Sequence, residues 1–213
     1  MKAAKLLNLP LLADPLLRFS MLVYVCVPGM FIGVNVTGMF YLQHEANMSP
    51  AATGMLMLPW SVASFIAITA TVRYFNRIGP RPLIAIGCLL QAVGILLLIV
   101  VSSSALWPAV AFTLMGAGGS LCSSTAQSSA FLTTRREDMP DASALWNLNR
   151  QLSFFIGALL LAQLLNLAQM WLPPLAAWHG MFIFAAGITL VPVLYVFRLN
   201  NTQVLTQLRQ ENS

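Results

Sequence analysis

Charge is scarce in this chain, and negative charge scarcer still. Charged residues make up 8% of the sequence and the hydrophobic set 58%, where a soluble domain is about a quarter charged. A water-soluble globule of that composition would precipitate, so the chain reads as a membrane protein. Only 6 residues are acidic: Asp14, Glu45, Glu137, Asp138, Asp141 and Glu211. None falls inside an apolar stretch. A carboxylate there would cost about 2.5–3.5 kcal/mol on insertion scales and would mark a proton site. Histidine occurs twice, at His44 and His179, and cysteine three times, at Cys26, Cys88 and Cys122, with no metal-ligand spacing among them. These shortages exclude a disulfide scaffold, a resident metal and the nucleophile-and-base cluster that an intramembrane enzyme needs. The cysteines are expected to fill apolar space, and no cofactor, metal or catalytic residue is expected. The net charge of +5 is divided among short loops and makes no continuous patch, so nucleic acid is not an expected partner.

What the sequence has is six apolar stretches: Phe19 to Leu42, Ala52 to Val72, Leu83 to Ser102, Trp107 to Gln127, Leu152 to Met170 and His179 to Phe197. A helix needs roughly 20 residues to cross the hydrocarbon core, and each stretch is about that long. Threaded alternately in and out, they place Lys2, Lys5, Arg18, Arg73, Arg77, Arg81, Arg135, Arg136, Arg150, Arg198 and Arg209 on one side. The opposite loops, 43–51, 103–106 and 171–178, hold no lysine or arginine. By the positive-inside rule both termini are cytoplasmic. The organisation is an interfacial linker over 1–18, broken by Pro10 and Pro15, a six-span membrane domain over 19–197 and a polar tail over 198–213.

The spans are not equivalent. Span one carries Pro28-Gly29 at mid-membrane, expected to break or kink the helix, followed by Gly33, Asn35, Thr37 and Gly38. Span four carries Gly116, Gly118, Gly119, Ser120, Ser123, Ser124, Thr125 and Gln127. Spans three and six are blander. The first helix of each trio is therefore the polar one, which predicts a three-plus-three repeat. In it, spans one and four face a wet path and spans three and six face lipid. Small residues such as the Gly29 to Gly33 pair equally suit close helix packing. Asn35 and Gln127 are better explained by a cavity, because amides in hydrocarbon need partners. Candidate path residues are Asn35, Thr37, Ser123, Ser124 and Gln127, with Trp60 deep enough to join them. The other tryptophans, Trp107, Trp146, Trp171 and Trp178, are expected in an interfacial belt. Asp141 is expected to cap the fifth helix, Arg150 to snorkel to the interface, and His44 and Glu45 to sit on a solvated turn.

Between spans two and three the chain reads Arg73-Tyr-Phe-Asn-Arg-Ile-Gly-Pro-Arg-Pro82, a tight basic turn. It resembles the second, degenerate copy of the major facilitator superfamily loop motif: Arg77, Gly79 and Arg81 match, while Asn76 stands where an aspartate would be. Tyr41-Leu-Gln43 with Ser49-Pro50, Gly54 and Leu58-Pro59, and Ala142-Ser-Ala144 with Asn147, Arg150-Gln-Leu152 and Gly157, resemble the C-terminal half of EmrB/QacA-type drug:proton antiporters. The resemblance implies an all-α bundle that is half of a secondary transporter in a bacterial inner membrane. It further implies a small organic solute, membrane lipid, and a separate N-terminal half or a second copy as partners, with the loop from Asn76 to Arg81 as a gating element. The competing expectation is a truncated remnant or assembly module that inserts without transporting by itself.

Overall fold

The structure, a computed structural model, describes residues 9–100, 106–197 and 206. Among them are six helices long and apolar enough to cross a membrane, and no strand. The chain is an integral, multi-pass, all-α membrane protein. Span one is built from α1 (Pro15–Tyr24) and α2 (Met30–His44), joined by a wide helical turn at Val25–Gly29. Span two is α3 (Pro50–Met55) followed by α4 (Met57–Ile78). Spans three to six are α5 (Pro80–Leu97), α6 (Leu106–Ala130), α7 (Met139–Gln169) and α8 (Pro174–Val196).

Most helices outrun the apolar stretches because backbone hydrogen bonding does not stop at the hydrocarbon boundary; α5 instead starts early, at Pro80, and ends at Leu97, inside its stretch. Proline marks the starts: Pro15, Pro50, Pro80 and Pro174 each open a helix, where the missing N–H would have had no partner and φ is already helical. Asp14 and Ser49 cap two of these, accepting from Leu16 N at 2.8 Å and Ala52 N at 3.1 Å. The first helix thus begins inside what the sequence suggested was linker. Asp141 is not the cap of α7. That helix starts at Met139 with Asp138 in the cap position, and Asp141 lies in its first turn. Of the expected boundaries, Ser102 and the loop 103–106 up to its last residue lie outside the described residues, as do Lys2, Lys5, Arg198, Arg209 and all of the tail except residue 206.

Packing follows the repeat. Span two packs on span four as span five packs on span one, and span three packs on span four as span six packs on span one. The one–four and three–six contacts map onto themselves. Exchanging the two trios maps these contacts onto one another, as a three-plus-three repeat requires. Small residues make the contacts close. Gly29 and Gly33 of span one face Ser153 and Gly157 of span five, where a Cβ at Gly33 would lie 2.5 Å from the Gly157 carbonyl oxygen. On the other side of the repeat, Gly116 of span four faces Trp60, and Ser64 Oγ donates to Gly116 O at 3.2 Å. In a bilayer, where burial from water gives no drive between helices, such close approach supplies the attraction.

Burial among the six spans is uneven, and the two bland spans are not the least buried. Spans two and five have 28% and 17% of their apolar stretches buried, the lowest of the six, against 67% for span one and 50% for span three. Span three is held inward by Gly87 and Gly94, which let it close on Cys122 and Ala111 of span four. It also carries Gln91, fully buried, whose Nε2 donates to Val27 O at 2.8 Å and to Thr189 Oγ1 of span six at 3.5 Å. Spans three and six are thus bolted to the wide turn of span one by an amide that a composition-level reading passes over.

Two of the tryptophans pack between helices. Trp146 and Trp178 are buried, the first edge-on to Tyr24 at 5.1 Å and the second against Tyr41 at 5.5 Å. Trp171 is 87% exposed, as a belt residue would be. Cys26, Cys88 and Cys122 are free and buried.

Candidate functional site: a groove between the two repeats

Pro28 does not break span one. The backbone stays right-handed helical on both flanks, and one wide turn over Val25–Gly29 takes up the proline that an α-helical turn would exclude. Such turns occur often at functional sites in long helices. The turn lets Tyr24, Pro28 and Phe31 share a face, and that face forms one wall of a groove of about 230 Å³. Met115, Gly119, Ser120 and Ser123 of span four form the opposite wall, while Trp60 of span two and Phe154 of span five close the ends. Each repeat therefore contributes its first and second spans.

The groove is aromatic with few polar atoms. Phe31 and Trp60 stack with ring centroids 5.6 Å apart and planes 6° from parallel, and Tyr24 meets Phe154 at 5.9 Å. Ser123 Oγ donates to Ser120 O at 3.2 Å, which leaves its lone pairs available to a solute. Flat π-faces beside hydroxyls suit an apolar or aromatic molecule that needs one or two weak polar contacts. The volume falls below the roughly 300–1,000 Å³ of a drug-sized pocket, as one wall of a larger site would.

Of the residues singled out from sequence, Trp60, Ser123 and Pro28 line this groove together. Gly29 sits behind it, against Ser153. Asn35 is half-buried with Nδ2 3.8 Å from Met57 Sδ. Thr37 is buried, donates to Gly33 O at 2.7 Å and borders a different cavity nearer the end of the span. Ser124 is half-buried and Gln127 exposed, and neither lines either cavity. Tyr24, Phe31, Met115 and Phe154 were missed. Helical spacing could have found most of them, since Tyr24, Pro28 and Phe31 follow i, i+4, i+7 and Met115, Gly119 and Ser123 follow i, i+4, i+8.

The basic turn is compact. Gly79 has φ 77° and ψ 176°, a conformation essentially reserved to glycine, and it lets Pro80 start α5 at once. Asn76 and Arg77 are exposed, and the Arg81 guanidinium lies 4.8 Å from the centre of the Phe197 ring at the end of span six. At the same end of the bundle, Asp14 also accepts from Thr133 Oγ1, tying the start of span one to the loop after span four. Arg135 and Glu137 form an ion pair at 3.6 Å that is 80% and 75% exposed, so it contributes little. Among the described residues no group of histidine, cysteine and carboxylate side chains could hold a metal ion.

A family model described as Major Facilitator Superfamily matches residues 20–212. The uncharacterized transporter YebQ of Escherichia coli (strain K12) is 30% identical over 166 residues, covering 76% of this chain and 36% of the relative. The drug efflux pump JefA of Mycobacterium tuberculosis is 27% identical over 180 residues, 84% of this chain and 33% of JefA. The lincomycin resistance protein LmrB of Listeria monocytogenes is 24% identical over 166 residues, 77% and 35% respectively. The chain spans about a third of the length of these curated relatives.

Proposed function

The chain belongs to the Major Facilitator Superfamily, and on that premise we propose that it is one half of a secondary carrier for small organic solutes, drug efflux by proton antiport being the activity of the complete assembly. The observation that carries this reading is the groove itself, in which the widened turn of span one meets the serine face of span four beside stacked aromatics. Its relatives' names, a drug efflux pump and a lincomycin resistance protein, support an amphipathic solute. Spans two and five, the least buried, offer the surface on which an N-terminal half or a second copy would close the path. The chain acts as a carrier and not as an enzyme. Path residues from this half are Trp60 and Ser123, with Asn35, Thr37, Ser124 and Gln127 following along spans one and four, and the turn from Asn76 through Arg77 and Gly79 to Arg81 gates one end.

A test of the groove is protection from labelling. A cysteine replacing Ser123 should react with a water-soluble thiol reagent, and a panel of amphipathic drugs headed by lincomycin should slow that reaction. A cysteine at Leu194, 74% exposed on span six, should be indifferent to the drugs. If no drug in the panel slows labelling at Ser123, the groove is not the solute site.

The orientation proposed is both termini cytoplasmic in a bacterial inner membrane, because threading the six spans alternately in and out puts all eleven basic residues of the sequence on one side. Reporter fusions at Ser213 and near Ser103 should then report opposite sides. A periplasmic signal from the fusion at Ser213 would overturn it.

A further inference from the structure

The end of the bundle opposite the basic turns holds a second cavity, of about 450 Å³, nearly twice the groove. It lies between the last turns of span one, the end of span five and the start of span six. Trp178, Phe40 and Leu165 give it apolar walls, and among the described residues no lysine or arginine lines it. Glu45 does, and it is the only acidic residue in the loops at this end.

Gln169 can donate or accept, whereas Thr37 and His44 are fixed more narrowly. Thr37 spends its hydroxyl proton on Gly33 O at 2.7 Å, so only lone pairs remain for a guest. His44 Nδ1 is 2.9 Å from Phe40 O, an atom that accepts and cannot donate. Nδ1 therefore carries the proton, and in the neutral ring Nε2 is an acceptor. The Glu45 carboxylate and His44 therefore present acceptors at one end of an apolar pocket, while Thr37, eight residues back along the helix and about 12 Å away, lines its other end. Acceptors and a negative charge together call for a cation that itself bears N–H donors.

We propose that this cavity is a binding site for a primary ammonium group carried on an apolar body, with Glu45 as its counter-ion and His44 as a further acceptor. Trp178 and Phe40 hold the apolar body, and an aromatic face also favours the adjacent cation. The site is separate from the groove between the repeats, and its occupancy does not depend on whether that groove transports. The same chemistry is offered by a free amine and by the headgroup of phosphatidylethanolamine.

The test uses the full chain in phosphatidylcholine vesicles with radiolabelled phenethylamine, read by scintillation proximity with protein-free vesicles as background. Phenethylamine should bind saturably, its N,N,N-trimethyl analogue more weakly, and unlabelled n-propylbenzene, its neutral isostere, should compete poorly. Glu45→Gln, which keeps the shape and removes the charge, should weaken binding roughly tenfold. Ala162→Phe, which fills the cavity and leaves Glu45 in place, should abolish it. Adding phosphatidylethanolamine identifies the source: a raised apparent Kd makes the lipid headgroup a resident of the site, and an unchanged Kd assigns it to free amines. Wild-type affinity in both Glu45→Gln and Ala162→Phe, or equal affinity for the primary and trimethylated probes, would overturn the proposal.

Discussion

Proteoliposomes containing this chain by itself will show no solute movement in response to a pH gradient, releasing a loaded drug no faster than protein-free vesicles. Insertion should succeed, since the spans are long, apolar and almost free of charge. Coupling should fail for a reason visible at each of the five described acids. Asp14 is engaged in capping α1 and in holding Thr133. Glu45 follows the last residue of α2. Glu137, Asp138 and Asp141 cluster at the start of α7. No carboxylate in the described spans lies where a proton would have to be exchanged across the membrane, and the bundle supplies one of the two halves that alternating access rocks against each other. Gradient-driven efflux that is lost on Ser123→Leu would show that one bundle suffices.

Adding one methyl group at Gly157 should destabilise the bundle by about 3 kcal/mol, the upper end of what overpacking a tight core costs. The new Cβ would overlap the Gly29 carbonyl, a backbone atom fixed by the wide turn of span one, and so cannot be accommodated by turning a side chain. The loss corresponds to a drop of roughly 6–12 °C in the unfolding midpoint in detergent for a chain of this size. The control is Gly187→Ala in span six, where nothing lies within 4 Å. There the same change should be neutral or stabilising by up to about 1 kcal/mol, because alanine is the better helix former. Equal midpoints for the two variants would mean that spans one and five do not touch as described.

The contrast between those two glycines indicates how far the sequence can be read. Both are helical glycines among apolar residues, and nothing local distinguishes Gly157, which admits the backbone of span one, from Gly187, which faces open space. Span number, approximate length, the alternation of basic loops and the packing role of Gly29 and Gly33 are legible because they depend on composition and on spacing within one helix. Which faces meet is not, because it depends on the tilt and rotation of two helices together. Gln91 illustrates this. In a run of leucine and isoleucine it reads as an isolated amide, yet it reaches the wide turn of span one and is the polar junction of three spans. Gln127 is the reverse case, an amide near the end of span four that stays exposed. Residue type predicts that a polar group needs a partner or water, not which of the two it finds.

The central claim is that the face shared by Tyr24, Pro28, Phe31, Ser120 and Ser123 borders an aqueous path, while the outer faces of spans three and six do not. It is tested most directly by placing single cysteines at Ser120, Ser123, Leu89 and Leu194 in membranes and measuring their rates of reaction with a charged, water-soluble thiol reagent. The native Cys26, Cys88 and Cys122 are buried and should stay silent. Leu89 and Leu194 are 52% and 74% exposed on the bundle surface, so exposure alone would make them the faster pair. The account predicts the opposite order, with Ser120 and Ser123 labelled readily and both leucine positions protected by lipid. Equal protection at all four, or faster labelling at Leu89 and Leu194, would contradict it.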